Sequence, residues 1–367
     1  MWGKHKSAPS AELQYVFRLI SAGLDGGVVP LPTHPLDHEK LITLLDLHGL
    51  TGYVARMPRA ASALPEPVAL HVKERARQFS MRAMAHIARL HQLVEYLSSL
   101  GIRSLALKGP SLAMVLGGDV GWRMSSDIDL WVDPQRVQEA HDALVKQGYQ
   151  DAVGYAEHQR NWLLGRGDGA TNHLVLVRGA DEMVELHFQL AHAKQTAWQP
   201  PDFESAYDNR QRVDTGNRGI DTLGDDDLAR FIVWHGMKHR FRALKWVLDA
   251  GLCLNRVSSD AFQTIFEQRM LRVTMRVFSI VRGTSMGGPY ERLRIRDWDN
   301  PTVDRPLALH LERHVLESRL TWLNRLRRAI FTPTIRDITA RPTEHRVWLL
   351  SLHRVVYLIG KYFFGRT

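Results

Sequence analysis

The stretch "SSDIDLWVD", residues 125–133, alternates polar and apolar side chains as a half-buried β-strand does. Because successive strand residues face opposite sides, its aliphatic residues would enter the core while its polar residues share the other face. That polar face would carry Asp127, Asp129, Trp131 and Asp133. Adjacent like charges repel, and aspartate is a poor strand former. A bound cation would convert this repulsion into ligation, so the stretch predicts a metal site at Asp127 and Asp129.

A second strand is predicted at "EMVELHFQL", residues 182–190, with Glu185 and His187 on its polar face. If it lies beside the first strand, Glu185 adds a third carboxylate. Oxygen-rich sites suit Mg²⁺ or Mn²⁺, and three carboxylates can hold two such ions for phosphoryl transfer. We expect Glu185 on the ion nearer the acceptor, as a base for its hydroxyl. His187 is either a half-buried structural residue or a support for the metal or the substrate.

Upstream, "LALKGPS", residues 105–111, ends a strand at Lys108-Gly109 and begins a helix at once. Gly109 permits close backbone approach, and free N–H groups at a helix start attract phosphate, beside the positive charge of Lys108. Arg123 can reach the same phosphates, or it can pair with Asp119 or Asp127 as a structural residue. These residues predict an anion-binding site beside the metal site.

The pattern of apolar and polar residues divides the chain into three parts. Residues 1–100 read as helical, and the longest helix opens at Pro67 and stops before Gly101. Residues 101–223 show a pattern of alternating short strands and helices. Residues 224–367 again show a helical pattern, which begins with acidic residues at a helix N-terminus. The prediction is therefore an α+β core between two helical regions.

Within the core, an antiparallel hairpin is predicted at "NHLVLVRGADEMVELHFQL", and two short strands around a glycine-containing turn are predicted at "RQRVDTGNRGIDTLG". Asp133 precedes Pro134, so its predicted role is to cap the next helix and not to join the metal site. The segment "RGTSMGG", residues 282–288, lacks the lysine and hydroxyl of a phosphate loop and is interpreted as a linker.

The run "LKGPSLAMVLGGDVGWRMSSDIDLWV", followed by "VELHFQL" and "WHGMKHRFRALKWVLDAGLCL", resembles the bacterial uncharacterised nucleotidyltransferase family of the polymerase-beta-type superfamily. The resemblance spans roughly residues 102–254 and implies a polymerase-beta-like core, a small mixed sheet with helices. The positions that match the family pattern are Lys108, Gly109, Arg123, Asp127, Asp129, Glu185, His187, His235, Lys238, His239, Trp246 and Asp249.

The resemblance also implies roles for helical residues after the sheet. Lys238 would reach the triphosphate or the base, although a surface lysine is the plain alternative. His235 and His239 stand four apart, as zinc-binding histidines can, but the glutamate of the zinc-protease motif is replaced by Gly236. With His187 and Asp249, they are expected to surround and support the site. Asp249 would orient a partner on its helix or Lys245.

The chain departs from the superfamily pattern at the residues that are predicted to bind phosphate. The superfamily places Gly-Ser ahead of the aspartate pair with a shorter gap, whereas this chain has Lys108-Gly109-Pro110-Ser111 and a longer insertion. Ser111 is therefore the expected substitute for the nucleotide-binding serine.

Composition sets broad limits on partners and compartment. The chain has 367 residues, a net charge of +9 and a pI near 9.8, which favours nucleotides, nucleic acid or acidic lipid as partners. Its one cysteine cannot form an internal disulfide, so a reducing compartment, the cytoplasm, is expected. The N-terminus lacks the pattern of a signal peptide, and His353 and Arg354 interrupt the most apolar segment, which predicts an amphipathic helix and no integral membrane span.

Together these features predict a cytoplasmic, metal-dependent nucleotidyltransferase that moves an NMP from an NTP, with ATP expected, to an acceptor and releases pyrophosphate. A kinase-like phosphotransferase with the same metal site is one alternative. A non-catalytic nucleic-acid or partner-binding protein on this fold is the other. The acceptor stays open among small molecules, sugars, peptides or proteins, and tRNA.

Overall fold

The computed structural model describes residues 9–283 except 33, 156, 158–159, 161–162, 165–170, 181, 192–197 and 217, and it also describes residues 298–299. The predicted C-terminal amphipathic helix, most of the predicted linker at 282–288 and most of the predicted C-terminal region beyond residue 283 lie outside these residues.

Five helices precede the first strand, as the texture of the first hundred residues predicts. They are α1 Ala11–Asp25, α2 His38–Leu47, α3 Thr51–Arg56, α4 Pro58–Ser62 and α5 Glu66–Ser99. Helix α5 has 34 residues and carries a proline in its first turn. The chain turns away after it at Gly101, whose φ of 73° places it in the left-handed region that favours glycine.

Seven strands form one mixed sheet in the order β3-β4-β5-β2-β1-β7-β6. They are β1 Ser104–Ala106, β2 Ile128–Val132, β3 Gln150–Asp151, β4 His173–Arg178, β5 Glu182–His187, β6 Gln211–Asp214 and β7 Gly219–Thr222. The pairs β2/β5 and β1/β7 are parallel, and the other neighbours are antiparallel. The predicted hairpin β4/β5 and the two predicted short strands β6 and β7 are confirmed, and so is the α+β class.

Later helices in the described part of the chain include α6 Pro110–Gly117, α7 Val137–Lys146, α8 Phe203–Asp208, α9 Asp225–Lys238, α10 Leu244–Leu254 and α11 Ile265–Val281. Short 3₁₀ turns lie at Pro134–Arg136 and Ser259–Ala261. The carboxylate of Asp133 accepts a hydrogen bond from the backbone N–H of Gln135, which confirms its predicted capping role. The helix predicted from Pro134 thus begins with a 3₁₀ turn.

The interpretation of β2 as half-buried is wrong, because helices cover both faces of the sheet. All five residues of β2 are buried. Ile128, Leu130 and Val132 pack with the C-terminal half of α5 and with α7. On the opposite face, Trp131 packs edge-to-face on Phe203 at a centroid distance of 5.1 Å. Only the start of β2, at Asp127 and Asp129, therefore remains available for a site.

The opposite face belongs to a core shared by α1–α5 and by α9–α11. His48, at the end of α2, joins the two sets of helices. Its Nδ1 accepts the backbone N–H of Leu244 at 3.2 Å, and its Nε2–H donates to the carbonyl of Trp298 at 2.8 Å. The ring is fully buried, and burial lowers the pKa of His48 from 6.5 to about 4.

This histidine should make the protein less stable in mild acid. The unfolded chain binds a proton at His48 below pH 6.5, whereas the folded chain does so only near pH 4, so stability falls as pH decreases through that window. We expect the His48 contribution to the loss between pH 6.5 and 4 to be about 3 kcal/mol. Urea unfolding across this range measures it, and His48→Gln should flatten the dependence. An unchanged slope in the variant would contradict the assignment.

Candidate active site

Three carboxylates converge where β2 begins. Asp129 and Glu185 are register partners on the parallel strands β2 and β5, and Asp127 directly precedes β2. One oxygen from each of the three lies within 4.8 Å of the others, a grouping that can hold a metal ion. The hydroxyl of Ser125, 2.9 Å from Oδ1 of Asp127, positions that side chain. The structure therefore brings the three predicted metal ligands together.

Lys108 supplies a positive charge inside this group. Its Nζ lies 2.6 Å from Oδ1 of Asp129 and 3.9 Å from Oε2 of Glu185, and the residue is 8% exposed. Burial would lower the pKa of Lys108, but the charges of Asp129 and Glu185 outweigh burial and raise it. Lys108 thus contacts the carboxylates, and its predicted contact with phosphate stays a prediction.

His187 is the second partner of the carboxylates. Its Nε2 lies 3.1 Å from Asp129 and 3.2 Å from Glu185, and the residue is buried. Burial opposes the charged ring, yet the two carboxylates raise the pKa of His187. Burial would likewise raise the pKa of Glu185, but the hydrogen bond from His187 and the charge of Lys108 hold it well below 4.5. Glu185 is therefore ionised at neutral pH.

Arg123 forms a buried ion pair with a residue of α10. Its Nε lies 2.8 and 3.0 Å from the two carboxylate oxygens of Asp249, which also accepts a hydrogen bond from the hydroxyl of Tyr53. The predicted structural alternatives for Arg123, pairing with Asp119 or Asp127, are wrong; Asp119 pairs with Arg56. The expectation that Asp249 orients Lys245 is replaced by contacts with Arg123 and Tyr53. Arg123 also lines the cavity above the carboxylates.

Two predicted nucleotide-binding residues lie behind the site and do not line the cavity. Ser111 is fully buried in the first turn of α6, and its hydroxyl donates to the carbonyl of Lys108 at 2.8 Å. Gly109 has a φ of 64°, and a Cβ there would lie 3.2 Å from the carbonyl oxygen of Asp127. The close approach at Gly109 is thus to the loop before β2. Ser111 and Gly109 thus contact protein backbone in this structure, and their nucleotide contacts stay a prediction.

Helices α9 and α10 form the opposite wall of the cavity. His235 Nε2 accepts from Lys108 Nζ at 3.5 Å, and the ring of His239 stacks on Trp246 at 4.6 Å. Burial, and then the charge of Lys108, keep the pKa of His235 well below 6.5. Within the described part of the chain, neither His235 nor His239 belongs to a group that could hold a metal. His235 and His239 are therefore neutral aromatic residues that line this wall of the cavity.

The cavity has a volume of about 250 Å³ and an excess of cationic side chains. Among the described residues, four cationic side chains face three carboxylates. The cations are Lys108, Arg123, Lys238 and Lys245. Burial lowers the pKa of Lys238, and the charge of Lys108 lowers it further. Burial also lowers the pKa of Lys245, and the charge of Arg123 adds to this effect. A bound polyanion would relieve this repulsion.

Sequence reasoning missed four residues of this region. Asn172, His173 and Lys245 line the cavity, and Tyr53 anchors the Arg123 ion pair from α3. Lys245 lies in the same motif as Lys238, but it matches no position of the family pattern. Asn172 and His173 lie at the start of β4 in the predicted hairpin, but the sequence does not show that they reach the cavity. Alternating strand faces were the only available signal for His173.

No helix among the described residues has the length and hydropathy needed to cross a bilayer.

Residues 34–280 match the profile of a family described as "Uncharacterised nucleotidyltransferase". No curated protein matches the chain. Solved structures with some similarity include the antibiotic-resistance factor ANT(2'')-Ia, with 11% identity and a TM-score of 0.36 over 55% of this chain and 99% of that chain. A nucleotidyltransferase-like antigen of Paracoccidioides brasiliensis has 12% identity and a TM-score of 0.34 over 59% and 94%.

Proposed function

Because the chain belongs to the uncharacterised nucleotidyltransferase family, we propose that it transfers an NMP from an NTP to an acceptor hydroxyl or similar nucleophile and releases pyrophosphate. The observation that carries this proposal is the convergence of Asp127, Asp129 and Glu185 within 4.8 Å, at a cavity with an excess of cations. We take ATP as the nucleotide and the cytoplasm as the compartment. The buried single cysteine, Cys253, supports a reducing environment.

The chemistry of the donor set supports a divalent cation. The three carboxylates supply oxygen ligands only, and Lys108 already brings one positive charge to Asp129 and Glu185. Asp127, Asp129 and Glu185 would hold Mg²⁺ or Mn²⁺, which would neutralise charge on the reacting phosphate and the leaving oxygens. His187 donates to Asp129 and Glu185 and keeps both oriented.

The remaining residues bind and position substrate. Lys238 and Lys245 enter the cavity from α9 and α10, opposite the carboxylates, where they can hold the triphosphate. Arg123 engages Asp249 through Nε, and its cavity-facing position suits the same phosphates. Ionised Glu185 can accept the hydrogen bond of the attacking acceptor group. Positioning and charge neutralisation together suffice for in-line transfer.

Labelled nucleotides test the proposal. Protein and Mg²⁺ are incubated with NTP labelled at the α- or γ-phosphate, together with pools of small metabolites, peptides or total tRNA. Transfer of the α-label with pyrophosphate release supports the proposal, and Asp127→Ala/Asp129→Ala should abolish it. Transfer of the γ-label with NDP release would show a kinase. Nucleotide or tRNA binding without release of either product would show a binding protein.

Lys245 should contribute to nucleotide binding more than to the chemical step. Lys245→Met is expected to raise KM for NTP by about tenfold, the effect of losing one charge-assisted contact, with kcat within about twofold. Lys146→Met is the matched control, since Lys146 is exposed at the end of α7. Steady-state kinetics measure KM for NTP and kcat of both variants. A KM equal to that of the wild type would remove Lys245 from the phosphate site.

A further inference from the structure

His173 presents an imidazole nitrogen to the back of the carboxylate group. It lies on β4, opposite His187 on β5 in the strand register. Its Nε2 is 3.9 Å from Oε1 of Glu185, whereas Lys108 and His187 approach the other oxygen, Oε2. Ligand atoms of His173, Glu185 and His187 lie within 4.8 Å of one another. Glu185 therefore has one oxygen turned toward each of two groups of residues.

Asn172 determines which nitrogen of His173 carries the proton. The residue is 2% exposed, and its Nδ2 donates to the carbonyls of Gln189 at 3.1 Å and Leu190 at 3.4 Å. Those carbonyls orient the amide, so Oδ1 of Asn172 faces Nδ1 of His173 at 3.2 Å and must accept its N–H. Nε2 of His173 is consequently the unprotonated nitrogen, and it lies 3.9 Å from Oε1 of Glu185.

His187 has the opposite arrangement. Its Nε2 lies 3.1 Å from Asp129 and 3.2 Å from Glu185, which are both acceptors, so Nε2 of His187 carries the hydrogen that these carboxylates share. His187 is thus a hydrogen-bond donor to the carboxylates. Among the described residues that line this edge of the cavity, His173 is the histidine with an unprotonated Nε2 near Glu185.

A cation between Nε2 of His173 and Oε1 of Glu185 would relieve the repulsion between these two electron-rich atoms. Two ligands of one transition-metal ion, each about 2.0–2.2 Å from it, lie about 3–3.5 Å apart, so the observed distance of 3.9 Å would need to shorten by about 0.4–0.9 Å. Metal-binding histidines usually donate their other N–H to an oxygen, as His173 does to Asn172. Bound phosphate and water commonly complete such sites.

We propose that Nε2 of His173 and Oε1 of Glu185 form a mixed nitrogen–oxygen cation position, adjacent to the three-carboxylate group, that selects Co²⁺, Zn²⁺ or Mn²⁺ over Mg²⁺. Imidazole nitrogen favours transition metals, whereas Mg²⁺ prefers oxygen. The inference deepens the proposed function, because it shares Glu185 with the site of NMP transfer. It assigns the metal preference of that reaction to one strand residue.

Metal binding without nucleotide tests this position. Full-length protein is titrated with Co²⁺ or Mg²⁺ by calorimetry, and the visible spectrum of Co²⁺ reports nitrogen ligation. We expect His173→Gln to weaken Co²⁺ binding at least about tenfold and to change Mg²⁺ binding less than about twofold. His38→Gln, an exposed histidine at the start of α2, should change neither. Thermal unfolding confirms that each variant is folded.

A second variant guards against misfolding of the first. His173→Asp replaces nitrogen by oxygen and should shift the preference from Co²⁺ toward Mg²⁺. Equal Co²⁺ affinity in wild type, His173→Gln and His173→Asp would overturn the inference, even if NMP transfer is observed with Mg²⁺. His173-dependent Co²⁺ binding in a protein that transfers no NMP would leave the cation position standing and defeat the proposed function.

Discussion

Asp129→Asn is expected to lower the rate of NMP transfer by about 1,000-fold, equivalent to about 4 kcal/mol of transition-state stabilisation. Asparagine keeps the shape of the side chain but removes the charge that faces Lys108 and His187. Oxygen ligation of a divalent cation would lose one of its three carboxylates. Initial rates at saturating NTP and Mg²⁺ measure the effect.

Two controls make this result specific to the site. Asp208→Asn changes an exposed carboxylate at the end of α8 and should leave the rate within about twofold. Circular dichroism and urea unfolding show whether Asp129→Asn is folded. A folded Asp129→Asn protein with at least a tenth of the wild-type rate would be incompatible with the proposed mechanism.

The second large effect is on stability, at the ion pair between Arg123 and Asp249. Asp249→Ala leaves the Arg123 guanidinium and the Tyr53 hydroxyl without their shared partner in a buried environment. Removing one member of a buried pair costs about 3–5 kcal/mol of unfolding free energy. Urea unfolding monitored by tryptophan fluorescence should show a decrease of that size.

Removing the whole group distinguishes a lost ion pair from a cavity. Tyr53→Phe/Arg123→Met/Asp249→Leu replaces all three polar groups by apolar ones and should recover most of the lost free energy. A triple variant as unstable as Asp249→Ala would show that packing volume, and not an unpaired charge, dominates at this place. Both variants would still be tested for NTP binding, since Arg123 lines the cavity.

Local patterns predicted much of this protein. Alternation over residues 128–132 and 182–187 predicted two strands, and Pro67 with Gly101 predicted the ends of α5 within about two residues. The prediction that Glu185 lies beside the aspartate pair depended on period-2 geometry and on the motif. The family predicted from those motifs is confirmed, and its match begins at residue 34, well before the predicted span.

What each side chain contacts was decided by tertiary structure. Composition and periodicity determined the three carboxylates, their common strand face and the α+β core, because these follow from local sequence. The engagement of Lys108 by Asp129, the pairing of Arg123 with Asp249 and the burial of Ser111 depend on which helices cover the sheet. Period-2 alternation cannot show that both faces of β2 are covered. The Arg123–Asp249 pair joins residues 126 positions apart and the Tyr53–Asp249 hydrogen bond joins residues 196 positions apart, and local sequence patterns do not predict such contacts.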